Sequence, residues 1–147
     1  FLHLIENGLD AVMPAHVIYP QVDQKPAGFS EYWLQNILRK QCRFEGAIIS
    51  DDMSMKAATN YGTASDRVRA ALEAGCDLVL VCNDPLSADE VLAKVHWHSC
   101  TLSHARLIRL HAHGKFDNAK LQYEPLWQAA SSLIRKLNQQ HDQRELI

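Results

Sequence analysis

Polar residues that could carry chemistry follow three short apolar runs of the chain. The aspartate pair Asp51 and Asp52 follows one run, His16 follows an earlier run, and Asn83 follows a later one. Because the C-terminal ends of parallel strands meet at one edge of an α/β fold, we expect these residues to share a rim. A carboxylate there can act as a nucleophile or base, and an imidazole or amide can orient a substrate.

The aspartate pair permits two interpretations. Aspartates at the end of a run often cap the following turn, since a negative charge suits a helix N-terminus. The catalytic interpretation needs one inward carboxylate, because neighbouring residues of an extended segment project to opposite sides. Asp51 continues the buried run and is the better catalytic candidate. Asp52 is expected to cap or to hydrogen-bond outward.

Three nearby residues are candidates for substrate binding: Met13, His16 and Met55. Met55 follows Asp51 by four residues and is expected in the loop above the strand, where it could form an apolar wall of a pocket. Methionine also fills cores, so a packing role stays open for Met13 and Met55. His16 could orient a substrate or make an ordinary hydrogen bond.

No metal site is predicted. His96, Cys100 and His104 recur every four residues, a stripe of zinc ligands on an unbroken helix. Ser99 and Thr101 are capping residues that interrupt such a helix, so two solvated helices are expected instead. The four cysteines lack CxxC spacing and are predicted to be reduced and mostly buried thiols.

Repeated segments predict the elements that hold these residues. In 6–16, 45–51 and 73–83, a glycine precedes an apolar run that a polar residue closes. Continuous apolar runs are typical of buried parallel strands. Helical patterns at 29–42 and 64–74 separate them, which predicts βα units that close into a barrel or spread into a doubly wound sheet.

The rest of the chain is predicted to be mainly helical. Helices are expected over 85–98, 102–113 and 125–140, the middle one ending at Gly114. The longest loop is expected at 19–28, after a strand end, where α/β folds carry functional loops.

Composition excludes several classes of partner. Among 147 residues, 47% are hydrophobic and the net charge is −2, which fits a globular protein and argues against a nucleic-acid or anionic-membrane surface. No apolar run approaches the roughly 20 residues of a membrane span. There is no basic segment followed by an apolar one at the start, so nothing in the sequence speaks for secretion.

The hexamer Ser50-Asp51-Asp52-Met53-Ser54-Met55 resembles the nucleophile signature of family 3 β-N-acetylhexosaminidases of bacteria. Segments 7–17, 26–30 and 74–77 are also similar to that family, and the resemblance covers most of residues 1–127. Met53 stands where the family more often has leucine, an apolar exchange.

The resemblance implies a (β/α)8 barrel. These 147 residues would be the C-terminal part of that single catalytic domain, with its last three or so βα units and then C-terminal helices, 115–147 being a helical extension. It also implies a cytoplasmic retaining glycosidase without metal or organic cofactor, which removes terminal non-reducing β-N-acetylglucosamine from peptidoglycan fragments in cell-wall recycling. Asp51 would be the nucleophile of a covalent glycosyl-enzyme, and Met55 would line the sugar pocket.

The general acid/base of the family, a histidine supported by an aspartate, has no counterpart here, and neither has the family's sugar-binding Lys-His pair. The chain also opens inside a helical pattern at Phe1, so we expect a fragment whose partner is the remainder of the barrel. Such a fragment is expected to have little activity alone. The alternatives are a non-catalytic fragment or packing subunit, and another βα-barrel hydrolase.

Overall fold

The computed structural model describes residues 1–98, 100–111 and 118–144. The chain forms two compact units, Phe1–His111 and Ala112–Ile147. The first contains every strand in the described ranges, and the second is helical there.

A parallel sheet organises the first unit. Its three strands are β1 (Ala11–Val12), β4 (Ala47–Asp52) and β5 (Leu78–Leu80), in the order β1-β4-β5. Both pairings are parallel, with Ala11 opposite Ala47 and Ile49 opposite Leu78. The predicted α/β class is therefore confirmed, and the three apolar runs form neighbouring strands.

Helices connect and follow these strands. The first unit contains α1 (Leu2–Glu6), a wide π-type helix (Tyr32–Gln41), α2 (Ala64–Ala74), α3 (Pro85–Lys94) and α4 (Thr101–Ile108). Short 3-10 turns cover Ala27–Phe29 and Lys56–Tyr61. The second unit contains α5 (Asn118–Leu121) and α6 (Pro125–Arg144).

The predicted helix boundary at Gly75 agrees with the structure because the local chemistry is strong. Thr63 and Asp66 form a reciprocal capping box at the start of α2. Gly75 ends the helix with φ +112°, a conformation that side chains with a Cβ rarely adopt.

Other boundaries differ from the prediction. Helix α3 ends at Lys94, because Val95 takes an extended backbone and packs on the core. Helix α4 ends at Ile108, and the predicted stop at Gly114 lies outside the described residues. The expected loop at 19–28 contains a short antiparallel ribbon.

The ribbon consists of β2 (Ile18–Tyr19) and β3 (Asp23–Pro26). A tight turn closes it, in which Val22 N–H donates to the Tyr19 carbonyl at 2.8 Å. After the ribbon, Ser30 Oγ accepts the Trp33 N–H at 3.1 Å, the bond that an N-cap side chain makes at the start of a helix.

The core lies between the sheet and its helices. It includes the fully buried side chains of Phe44, Leu34, Ile48 and Met53. On the wide helix Leu34 is buried, whereas Trp33, Ile37 and Leu38 are half-buried. The wider turn changes which side chain faces inward: Cys42 N–H donates to the Ile37 carbonyl, five residues back.

A buried carboxylate joins several elements at the start of β5. Asp77, whose side chain is 2% exposed, forms ion pairs with Arg39 at 2.7 Å and Arg106 at 3.2 Å. It also accepts the Ile48 N–H at 2.9 Å and the Ser103 hydroxyl at 2.6 Å. The wide helix, β4 and α4 therefore all attach to one side chain.

The four cysteines are free, and they differ in burial. Cys76 is buried, Cys42 and Cys82 are half-buried, and Cys100 is exposed. One of the four is buried, so the expectation of mostly buried thiols is wrong. Cys100 lies at the exposed start of α4, where its sulfur accepts the Ser103 N–H at 3.4 Å.

These environments predict unequal thiol reactivity. Burial raises the pKa of Cys76 to about 12, whereas hydrogen bonds from Ser103 lower the pKa of Cys100. The thiolate is the reactive form, so iodoacetamide at pH 7.5 should label Cys100 first and Cys76 only after unfolding. Peptide mass spectrometry of a labelling time course measures both rates, and early labelling of Cys76 in the folded protein would contradict the assignment.

Candidate active site at the strand ends

An irregularity in β4 shapes the site. Ile49 pairs with Leu78 and Asp52 pairs with Leu80, so β4 carries one more residue than β5 between these positions. At this bulge the Leu80 N–H donates to Ser50 Oγ at 3.0 Å instead of to a carbonyl. A bulge bends the strand and redirects its side chains, and it often lies beside an active site.

Asp51 lies in this bulge at the C-terminal end of β4 and is half-buried. Its Oδ1 accepts the Asp52 backbone N–H at 2.9 Å. Among the described residues, no hydrogen bond reaches Oδ2 of Asp51. One oxygen is thus fixed, and the other is left for an electrophile, which suits a carboxylate nucleophile.

Asp52 has more hydrogen bonds than Asp51. Its Oδ1 accepts the Ser54 N–H at 2.9 Å and the Cys82 N–H at 2.8 Å, and its Oδ2 accepts the Ser54 hydroxyl. Burial alone would raise the pKa of Asp52, but the bonds from Ser54 and Cys82 outweigh it and lower the pKa. Asp52 caps the turn after β4, as expected, and also binds the end of β5.

His16 lies beside the same segment. It is 8% exposed, and its Nε2 lies 3.1 Å from the Asp52 carbonyl oxygen. Because a carbonyl only accepts, Nε2 carries the proton. Nδ1 is buried and has no hydrogen-bond partner within the described part of the chain. The ring stacks on Phe29 with centroids 5.1 Å apart, which fixes its orientation.

The two methionines are not core residues. Met13 follows β1 and is 52% exposed, and Met55 follows the aspartate pair and is 43% exposed. Met55 N–H donates to the Asp52 carbonyl at 3.2 Å, so its backbone is fixed while its side chain is open to solvent. Such side chains can provide an apolar wall near Asp51.

The third strand end contributes through its backbone. Asn83 is exposed with φ +55°, and Cys82, the residue before it, makes the bond to Asp52. The structure therefore joins the ends of β1, β4 and β5, but the contact runs through main-chain groups and Asp52, not through the Asn83 amide.

Two negative observations are restricted to the described residues. No group of three or more histidine, cysteine, aspartate or glutamate side chains is arranged to hold a metal ion there. His96, Cys100 and His104 are all exposed, and the break between α3 and α4 separates His96 from the other two. None of the helices in these ranges combines the length and the apolar character that crossing a bilayer requires.

The sequence reasoning missed the bulge at Asp51 and the contact between His16 and Asp52. No local pattern signals either feature, because both depend on pairing between strands distant in sequence. The bond from Ser54 to Asp52 could be predicted from the sequence, since an aspartate two residues before a serine often forms an Asx-turn.

A parallel α/β sheet with a carboxylate at the C-terminal end of its middle strand has the arrangement found at active sites of α/β enzymes. Residues 1–108 match the model of the glycosyl hydrolase family 3 N-terminal domain. The chain belongs to this family.

Curated relatives of this chain carry the name β-hexosaminidase. The chain is 64% identical over 144 residues to a β-hexosaminidase of Hydrogenovibrio crunogenus, a match that covers 95% of this chain and 40% of the relative. It is 50% identical over 127 residues to a β-hexosaminidase of Pseudomonas aeruginosa, covering 86% of this chain and 38% of that protein. The chain thus spans about two fifths of these relatives' length.

Two solved structures of N-acetylglucosamine-related proteins are similar to this chain. NagZ from Neisseria gonorrhoeae in complex with N-trifluoroacetyl-D-glucosamine is 38% identical with a TM-score of 0.76, over 93% of this chain and 39% of NagZ. The β-N-acetylglucosaminidase from Thermotoga maritima is 30% identical with a TM-score of 0.59, over 73% of this chain and 26% of that enzyme.

Proposed function

We propose that the complete protein is a retaining β-N-acetylhexosaminidase in which Asp51 is the nucleophile. The observation that carries this proposal is the Asp51 carboxylate, which lies at the end of a central parallel strand with one oxygen fixed by Asp52 N–H. The β-hexosaminidase relatives and the family assignment support the same activity.

The fold of the complete catalytic domain would be a (β/α)8 barrel, with residues 1–147 forming its C-terminal part and 115–147 a helical extension. The parallel order β1-β4-β5 with intervening helices supports this proposal. Strands β1 and β5 are paired on one side only in the described sheet, and an apolar strand edge requires a partner. The remainder of the barrel would cover both edges.

In the proposed mechanism, Asp51 Oδ2 attacks the anomeric carbon while the glycosidic C–O bond breaks and an acid protonates the leaving oxygen. Water then attacks the anomeric carbon of the glycosyl-enzyme and gives its proton to the conjugate base of that acid, Asp51 leaves as carboxylate, and the configuration is retained overall. Retaining enzymes hold the two catalytic groups about 5 Å apart. The acid would come from the remainder of the barrel.

The proposed substrate is a terminal non-reducing β-N-acetylglucosamine of peptidoglycan fragments, processed in the cytoplasm without metal or organic cofactor. Exposed Met55 and Met13 support an apolar wall for the sugar, whose hydroxyl-poor face prefers such a surface. We also propose that these 147 residues alone have little or no activity, because three strands cannot enclose a sugar.

The stereochemistry of the product tests the function. The full-length protein should release N-acetylglucosamine from an aryl β-N-acetylglucosaminide, and NMR spectroscopy should detect the β-anomer before mutarotation. An aryl β-glucoside, which lacks the acetamido group, is the matched control substrate and should react far more slowly. Initial release of the α-anomer, or no hydrolysis by a folded protein, would refute the proposal.

A further inference from the structure

We infer that Asp52 is a positioning residue, which holds the Asp51 carboxylate in its reactive orientation by tying three strand ends together. The inference depends on the proposed function, because it assigns Asp52 a part in the same reaction. Asp52 would not touch the substrate.

The side chain of Asp52 joins β4 to β5. Its Oδ1 accepts N–H groups from Ser54 at 2.9 Å and Cys82 at 2.8 Å, and its Oδ2 accepts the Ser54 hydroxyl. These bonds span the bulge, where the regular ladder between the two strands is interrupted. A carboxylate that accepts several hydrogen bonds is held in one rotamer, and charge-assisted bonds of this kind are the strong ones.

The carbonyl of Asp52 connects the end of β4 to the segment that follows β1. It accepts His16 Nε2–H at 3.1 Å and Met55 N–H at 3.2 Å, so both of its lone pairs are used. His16 is itself fixed by burial and by stacking on Phe29. The peptide unit between Asp52 and Met53 therefore has little freedom to rotate.

The backbone N–H of Asp52 connects this arrangement to Asp51. The Asp52 N–H donates to Asp51 Oδ1 at 2.9 Å. It belongs to the peptide unit between Asp51 and Asp52, whose carbonyl accepts the Ser50 hydroxyl at 2.8 Å, and the bonds to the side chain and carbonyl of Asp52 hold the residue at the other end of that unit. When Asp51 Oδ2 bonds to the anomeric carbon, Oδ1 becomes the carbonyl oxygen of the ester. The same N–H then stays on that oxygen and assists departure of the carboxylate when water attacks.

Two substitutions of Asp52 separate positioning from direct chemistry. Asp52→Asn keeps an oxygen for the two N–H donors, and its amide can donate to the Ser54 hydroxyl, which turns to accept. Asp52→Ala removes all three bonds. Since a misplacement of about 1 Å costs about 10²-fold, we expect kcat to fall about 10²-fold in Asp52→Ala with KM nearly unchanged, and less than about 10-fold in Asp52→Asn.

A second pair of variants tests the hydrogen bond from His16 to the Asp52 carbonyl. His16→Gln retains an N–H that can reach the Asp52 carbonyl, and His16→Leu does not. The glutamine variant should keep more of kcat than the leucine variant. This pair preserves the test if Asp52→Ala fails to fold.

The experiment measures kcat, KM and the fraction of protein labelled by a fluorinated analogue that traps the glycosyl-enzyme, all on the full-length protein. Normalising kcat to the labelled fraction removes losses from unfolding. Wild-type labelling of Asp51, a low normalised kcat in Asp52→Ala and its recovery in Asp52→Asn would support the inference.

Three other results would overturn the inference. A normalised kcat equal to wild type in Asp52→Ala would mean that the bonds only stabilise the fold. A loss in Asp52→Asn as large as that in Asp51→Asn would mean that the Asp52 charge acts directly. Absence of hydrolysis and labelling in folded wild type would instead refute the proposed function, and this inference with it.

Discussion

Asp51→Asn in the full-length protein is expected to lower kcat for an aryl β-N-acetylglucosaminide by about 10⁴-fold or more, the scale seen when a nucleophile is removed. An amide oxygen is a far weaker nucleophile than a carboxylate, and the substitution leaves the size of the side chain unchanged. The Asp52 N–H can still bind the amide oxygen in place of Oδ1, so the fold around the bulge should persist.

The measurement combines steady-state kinetics with trapping by a fluorinated N-acetylglucosaminyl analogue. Peptide mass spectrometry should find the label on Asp51 in wild type and no label in the variant. Asp89→Asn is the matched control, because Asp89 is exposed on α3 and the charge change is the same. Wild-type rates in Asp51→Asn, or a label on another residue, would remove Asp51 from the nucleophile role and leave it a structural one.

Asp77→Asn should destabilise the protein by about 3–5 kcal/mol, as is typical when one partner of a buried ion pair is removed. Asp77 is nearly inaccessible, and two guanidinium groups, those of Arg39 and Arg106, converge on it. The amide leaves their charges without compensation. It also replaces one acceptor by a donor, opposite groups that themselves donate.

Urea unfolding of the full-length protein measures the loss. Asp10→Asn provides the control, since Asp10 and Arg109 form an exposed ion pair at 3.9 Å, and such pairs contribute about 0–1 kcal/mol. We expect the midpoint to fall for Asp77→Asn and to change little for Asp10→Asn. Equal effects of the two substitutions would show that burial does not distinguish these carboxylates.

Several elements were predictable because their signals are local. The capping pair Thr63 and Asp66 with Gly75 fixes α2 within one segment, and continuous apolar runs predicted the three parallel strands. Their burial was predicted correctly only for β4, since β1 is half-buried and Leu78 of β5 is exposed. The hexamer 50–55 supplied the candidate nucleophile in the same way. The predicted helix end was wrong at Val95, because packing against distant residues outweighed the local helical pattern there.

The sequence by itself determined the α/β class, the order of the main helices and the three parallel strands, and the family resemblance, because these depend on periodicity, caps and short motifs. The tertiary structure decided that β4 bulges at Asp51, that His16 reaches the Asp52 carbonyl and that Asp77 binds two arginines. The physical reason is common to all three. Each contact joins residues about 25 to 40 positions apart, and only the folding of the chain, which pays the entropy of loop closure, brings such residues together.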